Sequence, residues 1–257
     1  MIDHTEVLVL PDGREVLCPS RDEAASLWAE VREDRSFSWA MSALGEAPVV
    51  IDVGAHVGIS SLYLADRFPR AHVIACEPAL RTFRCLVDNL AKHLPGAVAL
   101  KRALGAREEM RRLAVHPLMT AHSTLYSDDI DERGNLDCLL RNLEVEPSSR
   151  DDIRGLWSIR EYEEVSVSTL ESVLGGFDLK VVDLVKIDVE RGEMSVLDGI
   201  SDKAWSAIKC LLVDVHDIHG RVEEVARRLS DRGYGIDISQ ARAFVGSSVY
   251  SVFASLP

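Results

Sequence analysis

The stretch that most limits how this chain can fold is residues 48–68, PVVIDVGAHVGISSLYLADRF. A β-branched run ends in an acid, two glycines bracket a histidine, and the apolar period then changes from that of a strand to that of a helix. A strand that breaks into glycines and restarts as a helix brings bare backbone up to a ligand. The alternation continues along the chain. HVIACE (72–77) reads as a strand, and Pro78 is expected to open the helix ALRTFRCLVDNLAKHL, since proline is tolerated in a first turn. AVALKRAL (97–104) reads as a third strand. Farther on, EEVSVS, VVDLVKID and CLLVDVH read as strands, with EMSVLDGI and RVEEVARRLSDRG as helices; Gly233 ends the last of these. Strands alternating with helices predict parallel βαβ units, hence an α/β fold with a mostly parallel, twisted sheet covered by helices on both faces. GYGIDIS and SVYSVFAS add an antiparallel pair at the sheet edge.

Two segments stand outside this rhythm. Residues 5–18 alternate apolar and polar around Pro11-Asp12-Gly13, which predicts a hairpin. Residues 20–42 read as helical, with Trp28, Phe37 and Trp39 at the apolar positions. Residues 1–47 are therefore expected to form a hairpin and helical cap that is not independent of a main domain at 48–257. Within that domain, residues 106–164 are charged and irregular, with HPLMTAHSTLYSDD and EVEPSSRDD expected as loops. Ser168-Thr169-Leu170-Glu171 fits a capping box before a short helix.

The bulk numbers exclude several classes. The 257 residues, 47% of them hydrophobic, suffice for one large core. A net charge of −13 gives no basic footprint, so nucleic acid is not an expected partner. No apolar run is long enough to cross a bilayer and no targeting segment is evident, so no membrane is expected and the location reads as cytoplasmic. Five cysteines, Cys18, Cys76, Cys85, Cys138 and Cys210, lie far apart without a C-x-x-C pair, which argues against a disulfide framework or a zinc site.

The glycine turn narrows the ligand. A dinucleotide fingerprint needs G-x-G-x-x-G, but the positions counted from Gly54 hold Gly, His56 and Ile59. The P-loop lysine is absent too. The D-x-G-x-H-x-G pattern suits S-adenosylmethionine, which has no phosphate. Gly54 and Gly58 would admit the methionine moiety by close backbone approach, and Asp52 would meet its ammonium directly or through water. Glu77, at the end of the next strand, would accept hydrogen bonds from both ribose hydroxyls. An ordinary α/β turn with two solvated acids is the plainer alternative. His56 fits because His tolerates a positive backbone angle, and it would add a polar contact to the cofactor.

Chemistry is expected at two later strand ends. Lys186, Asp188 and Glu190 alternate and would share one face. Asp214 and His216 do the same on the next strand. His216 is the expected general base, since its usual pKa lies near neutrality; Asp188 would orient it, take the proton itself, or contact the cofactor. Glu193 is expected to favour its helix N-terminus. Asp188, Glu190 and Asp214 would suit Mg²⁺, although Lys186 beside them disfavours a metal. His4, His72, His93, His116, His122 and His219 lack ligand spacing with one another. His122-Ser123-Thr124 is a further candidate for cofactor or substrate contact, through Ser123.

VIDVGAHVGISSLYLA, VIACEPALRTFRCLVDNL, VDLVKIDVERGEMSVLDGI and LLVDVHDIHGRVEEVARRLSDRGY together resemble the FkbM-type methyltransferases, as does the opening LPDGREV. The likeness covers most of residues 7–253 and is weakest over 106–164. K-I-D-V-E…E is its most specific part. DVHDIHG and Trp205 resemble the branch found in polyketide and peptide antibiotic pathways. The resemblance implies a class I methyltransferase (Rossmann-like) fold and O-methylation of a hydroxyl on a small-molecule specialised metabolite. The chain departs from the pattern at His56, where asparagine is usual, in VERGEMSVL, and in the central insert. A nucleotide-dependent oxidoreductase and a non-catalytic cofactor-binding module remain as alternatives. The sequence leaves the oligomeric state open, a homodimer being one option.

Overall fold

In the computed structural model, residues 5–257 are described; His4 lies outside them. Strands β1 (Glu6–Val9) and β2 (Glu15–Cys18) pair antiparallel across a turn in which Gly13 takes φ +87°. The helical stretch that follows is two helices, α1 (Arg21–Glu33) and α2 (Arg35–Ser42). Asp34 divides them: its backbone is extended, and its carboxylate accepts the Ser36 N–H at 2.7 Å as an N-cap. Trp28 and Phe37 pack on Tyr63, with ring centroids 5.6 and 5.8 Å apart.

Next come β3 (Val49–Val53), α3 (Ile59–Arg67), β4 (His72–Cys76) and α4 (Leu80–His93). Pro78 stands outside α4 rather than in its first turn, because Ala79 is the N-cap and Glu77 accepts the Ala79 N–H. The expected third strand is two: β5 (Val98–Leu100) in the main sheet and β6 (Ala103–Leu104) in a second one.

Residues 106–164 are more ordered than their charge suggests. They hold β7 (Glu109–Val115), a 3₁₀ turn at Thr120–His122, α5 (Asp129–Asn142) and α6 (Pro147–Trp157), and they run into β8 (Glu161–Ser168). EVEPSSRDD is thus largely helical, with Pro147 in the first turn. The apolar signal was thin because these helices bury only a small cluster of their own, Leu136, Leu140 and Trp157. The next helix, α7 (Leu170–Gly176), is capped by Thr169, whose hydroxyl accepts the Ser172 N–H at 3.2 Å. Ser168 belongs to β8, so the expected capping box does not form.

The chain closes with β9 (Leu184–Ile187), α8 (Glu193–Asp198), α9 (Asp202–Trp205), β10 (Cys210–His216), α10 (Arg221–Ser230), β11 (Gly235–Ser239) and β12 (Val249–Ser255). The main sheet has the order β11-β12-β10-β9-β3-β4-β5. Strands β10, β9, β3, β4 and β5 are parallel, and β12 is antiparallel to both its neighbours. A separate sheet, β6-β8-β7, carries the first part of the insert. Ile51, Ile74, Leu211 and Val185 are fully buried in the main sheet, each aliphatic side chain stabilising the fold by about 1.5–3 kcal/mol. Leu8, Val16, Trp28 and Phe37 share one core with Leu62 and Leu86, so the N-terminal hairpin and helices are packed into the sheet's own helical layer. Among the described residues no helix is long and apolar enough to cross a membrane.

Candidate active site

From β3 the chain builds outward through β4 to β5, then returns to place β9 and β10 on the other side of β3. Ligands of such sheets bind beyond the carboxyl ends of the strands at this switch. A cleft enclosing about 1130 Å³, counting its open mouth, lies there. Gly54, His56 and Glu77 line one part of it and Glu30, Asp34, Lys186, Asp188 and Asp214 another, the two parts meeting where Gly54 abuts the Asp188 backbone.

At the first end, Gly54 (φ +81°) and Ala55 both donate to the Cys76 carbonyl at 3.0 Å. A Cβ at Gly54 would lie 1.7 Å from the Asp188 carbonyl oxygen. The close approach this glycine permits is therefore to the end of β9 as well as to the cleft. Gly58 (φ +94°) caps α3, and its missing Cβ faces Leu86 at 3.0 Å. It does not line the cleft, so its expected part in admitting a ligand is replaced by helix packing.

His56 has φ +51°, the positive angle its position demands. Its ring Nε2 is 2.7 Å from Thr120 Oγ1, and the Thr120 hydroxyl donates to Glu23 at 2.7 Å. With that hydroxyl proton committed, the network assigns the proton on His56 to Nε2. Nδ1 is left as a buried acceptor with no partner among the described residues. Burial lowers the His56 pKa and keeps the ring neutral.

Glu77 accepts from the His56 N–H at 3.0 Å, the Ala79 N–H at 2.9 Å and the Thr82 hydroxyl at 2.8 Å. Burial nevertheless pushes its pKa up to about 7. A carboxylate offers about four lone-pair sites, so capacity remains for one further donor, not for the two ribose hydroxyls expected. Asp52 is 2% exposed and does not line the cleft. It accepts the Ser61 hydroxyl at 2.7 Å and stands 3.6 Å from Lys186 Nζ, an internal pair where a cofactor contact, direct or through water, was expected. Ser123 does line the cleft, but its hydroxyl donates to the Thr120 carbonyl at 2.8 Å.

At the second end, the strand alternation expected of Lys186, Asp188 and Glu190 stops at Ile187, where β9 ends. Glu190 and Arg191 instead take left-handed angles, φ +52° and +74°. The turn still brings Lys186, Asp188 and Glu190 to the cleft wall. Lys186 Nζ lies 3.1 Å from Asp188 Oδ2. Burial opposes its charge, but Asp188, Asp52 and Asp214 override that and raise its pKa. Asp214 accepts the Ser251 hydroxyl at 2.7 Å. Burial, with Asp188 and Asp34 nearby, raises Asp214 to about 8.

His216 is not where a general base was expected. It is 3% exposed and does not line the cleft. Nδ1 lies 3.2 Å from Glu193 and Nε2 3.3 Å from Glu190. Burial works against the imidazolium, yet the two carboxylates raise the His216 pKa to about 10. The ring is a protonated clamp between acids with no free lone pair, so it cannot take a proton. Glu190 in turn faces His122 at 3.5 Å, and these partners hold it well below the usual carboxylate range despite burial. Glu193 is fully buried in this network rather than simply favouring its helix end. The Thr124 hydroxyl donates to the Glu190 carbonyl, and Arg191 donates to the Tyr126 carbonyl at 3.1 Å, so the same turn anchors the insert.

Sequence reasoning missed Glu30 and Asp34. Leu27, Glu30, Val31 and Asp34 lie at helical spacing in the sequence, so an acid on the apolar stripe of α1, Glu30, and one just past its end, Asp34, were the available signal. Among the described residues, no group of three or more His, Cys, Asp or Glu is arranged to hold a metal ion.

A family model of the FkbM methyltransferase domain matches residues 52–236. The chain is 30% identical over 259 residues to the 31-O-demethyl-FK506 methyltransferase FkbM of Streptomyces tacrolimicus, a match covering 99% of this chain and 98% of that protein. It is also 30% identical over 261 residues to the AMB antimetabolite synthetase AmbE of Pseudomonas aeruginosa. That match takes in 96% of this chain, which spans only 12% of AmbE. Among solved structures, a methyltransferase FkbM from Methylobacillus flagellatus aligns with a TM-score of 0.54 at 11% identity, over 91% of this chain and 58% of that one. That likeness concerns the fold, which is the class I, Rossmann-like one implied by the motifs. With matching motifs, fold and nearly full-length relatives, the chain belongs to the FkbM family of S-adenosylmethionine-dependent methyltransferases.

Proposed function

We propose that this chain methylates an oxygen, transferring the methyl group of S-adenosylmethionine to a hydroxyl of a small-molecule specialised metabolite. The observation that carries this reading is the single cleft that joins the Gly54–His56 turn and Glu77 to Asp214. The residues at the turn fit the cofactor. Glu77 keeps acceptor capacity for one ribose hydroxyl, and the unpartnered His56 Nδ1 is ready for a ligand donor. Residues Gly54 and Ser123 border the same space. When bound, S-adenosylmethionine supplies an electrophilic methyl group on a sulfonium.

The protein's own part is positioning and proton removal. In this reading Asp214 takes the hydroxyl proton, because it lines the cleft and titrates near 8, where a carboxylate is a stronger base than usual. Lys186 stays charged and holds Asp188 at the cleft wall. Its ammonium pairs with Asp188 and its charge also bears on Asp214, two of the acids that would otherwise suit Mg²⁺, so the proposed reaction runs without a metal. His216 and Glu190 position the turn. The described part of residues 1–47 acts as a cap on the domain at 48–257, and the 106–164 insert forms part of the cleft wall. Relatives named for FK506 methylation and antimetabolite synthesis support an acceptor of the natural-product kind.

The test has two parts. Calorimetric titration should show binding of S-adenosylhomocysteine and none of NAD. Incubation with S-adenosylmethionine and a panel of hydroxylated metabolites should then give an O-methyl product. Methylation confined to nitrogen or carbon would overturn the oxygen assignment.

A further inference from the structure

Four carboxylates line the far end of the cleft, Glu30, Asp34, Asp188 and Asp214, against one cation, Lys186. Three of the four have protein partners. Asp188 pairs with Lys186, Asp214 accepts from Ser251, and Asp34 accepts from the Ser36 N–H. Lys186 is further shared with Asp52. Glu30 differs: among the described residues, none donates a hydrogen bond or forms an ion pair with its carboxylate. Its charged surroundings are dominated by Asp214, Asp188 and Asp34, with Lys186 compensating less. Burial and these acids push it up to about 8. Glu30 is only partly buried, so water reaches its carboxyl, and a ligand that displaces that water must supply a donor or leave the group unpaired.

The helices that carry Glu30 also supply Leu27, Val31 and Phe37 to the cleft wall. The acceptor end thus offers an apolar surface with one unanswered carboxylate on it. We propose that Glu30 recognises a cationic nitrogen on the acceptor, so that the substrate class is an amino alcohol whose ammonium pairs with Glu30 while its hydroxyl is presented to Asp214. This rests on the methyltransferase reading above and deepens it. A charge-assisted hydrogen bond from an ammonium is stronger and more selective than one from a neutral hydroxyl. The apolar wall then holds the carbon skeleton between the two groups. A second source of positive charge in this cleft is the sulfonium of the cofactor, and the experiment has to separate the two.

Wild-type protein would first be titrated with S-adenosylhomocysteine alone; failure to bind overturns the methyltransferase reading, whatever Glu30 does. The protein saturated with S-adenosylhomocysteine would then be titrated with trans-2-aminocyclohexanol and, separately, with trans-cyclohexane-1,2-diol, with ligand-observed NMR as the readout. The expected result is at least tenfold tighter binding of the amine, with the preference falling to about threefold or less in Glu30→Gln. Equal binding of the pair by the wild type overturns the proposal without any variant. A preference that persists in Glu30→Gln also overturns it. The third arm compares S-adenosylmethionine with S-adenosylhomocysteine in both proteins. If Glu30→Gln selectively weakens the sulfonium form tenfold or more, Glu30 faces the cofactor and the proposal falls.

Discussion

The two ends of the cleft are built on opposite principles. Around Glu77, protein donors answer the carboxylate: two backbone N–H groups and a hydroxyl. Around Glu30, carboxylates face carboxylates, and the single lysine is already engaged. The first end is pre-organised, so a ligand there adds to a network that exists without it. The second carries an electrostatic cost that a ligand can relieve. The difference shows why the same residue type reads as architecture in one place and as recognition in the other.

The sharpest way to break the pre-organised end is Gly54→Ala. A Cβ there meets the Asp188 carbonyl, and the backbone angle is already positive, so a loss of about 4 kcal/mol or more is expected, together with cofactor binding. Urea denaturation and titration with S-adenosylhomocysteine check this; near-normal values would mean that the β3–β9 approach relaxes easily.

His216→Ala ranks next, at roughly 3–5 kcal/mol, because it leaves Glu193 buried without its cation and takes from Glu190 one of its partners, Arg191 and His122 being the others. Its pH dependence has a definite sign. The folded-state pKa is raised from 6.5 to about 10, so the stabilisation is complete below about 6.5 and is lost as pH climbs through 10. Urea midpoints measured from pH 6 to pH 10 should fall less steeply for the variant than for the wild type. Wild-type stability with lost turnover would return His216 to the chemistry.

At the acid-rich end, Asp214→Asn should lower kcat by about a hundredfold while changing cofactor affinity much less. The wild-type rate should rise with pH through an ionisation near 8 that the variant lacks. A smaller effect is expected of Glu77→Gln, which exchanges one acceptor oxygen for a donor and should weaken S-adenosylhomocysteine binding by about 1–3 kcal/mol. The least effect is expected of EDTA. With Lys186 among the acids, turnover should be unchanged; loss restored by Mg²⁺ would recast Asp188 and Asp214 as ligands.

Local pattern made much of the fold readable. The β-branched run before Asp52, the switch to helical period after Gly58 and the antiparallel C-terminal strands all describe what neighbouring residues do. His56 was legible for the same reason, since a positive φ is a property of one residue and its turn. The insert was not. Its helices bury few side chains, so the apolar period that marks a helix is diluted by surface charge. His216 misled because its type suggested a base, while its protonation state depends on Glu190 and Glu193, which come from the turn and the helix start after a different strand.

By itself, then, the sequence determined the order and kind of the main elements, the parallel sheet and the turn that holds Gly54 and His56. These follow from side-chain period and backbone preference, which act over a few residues. Tertiary structure alone decided which acids share a space. Glu30 and Asp34 arrive from the N-terminal helices, Asp188 from the end of β9 and Asp214 from β10, and no spacing along the chain encodes that meeting. Charge interactions depend on distance through space and on burial. That is why a lysine can be spoken for, a histidine locked in its charged form, and one glutamate left without a partner among the described residues.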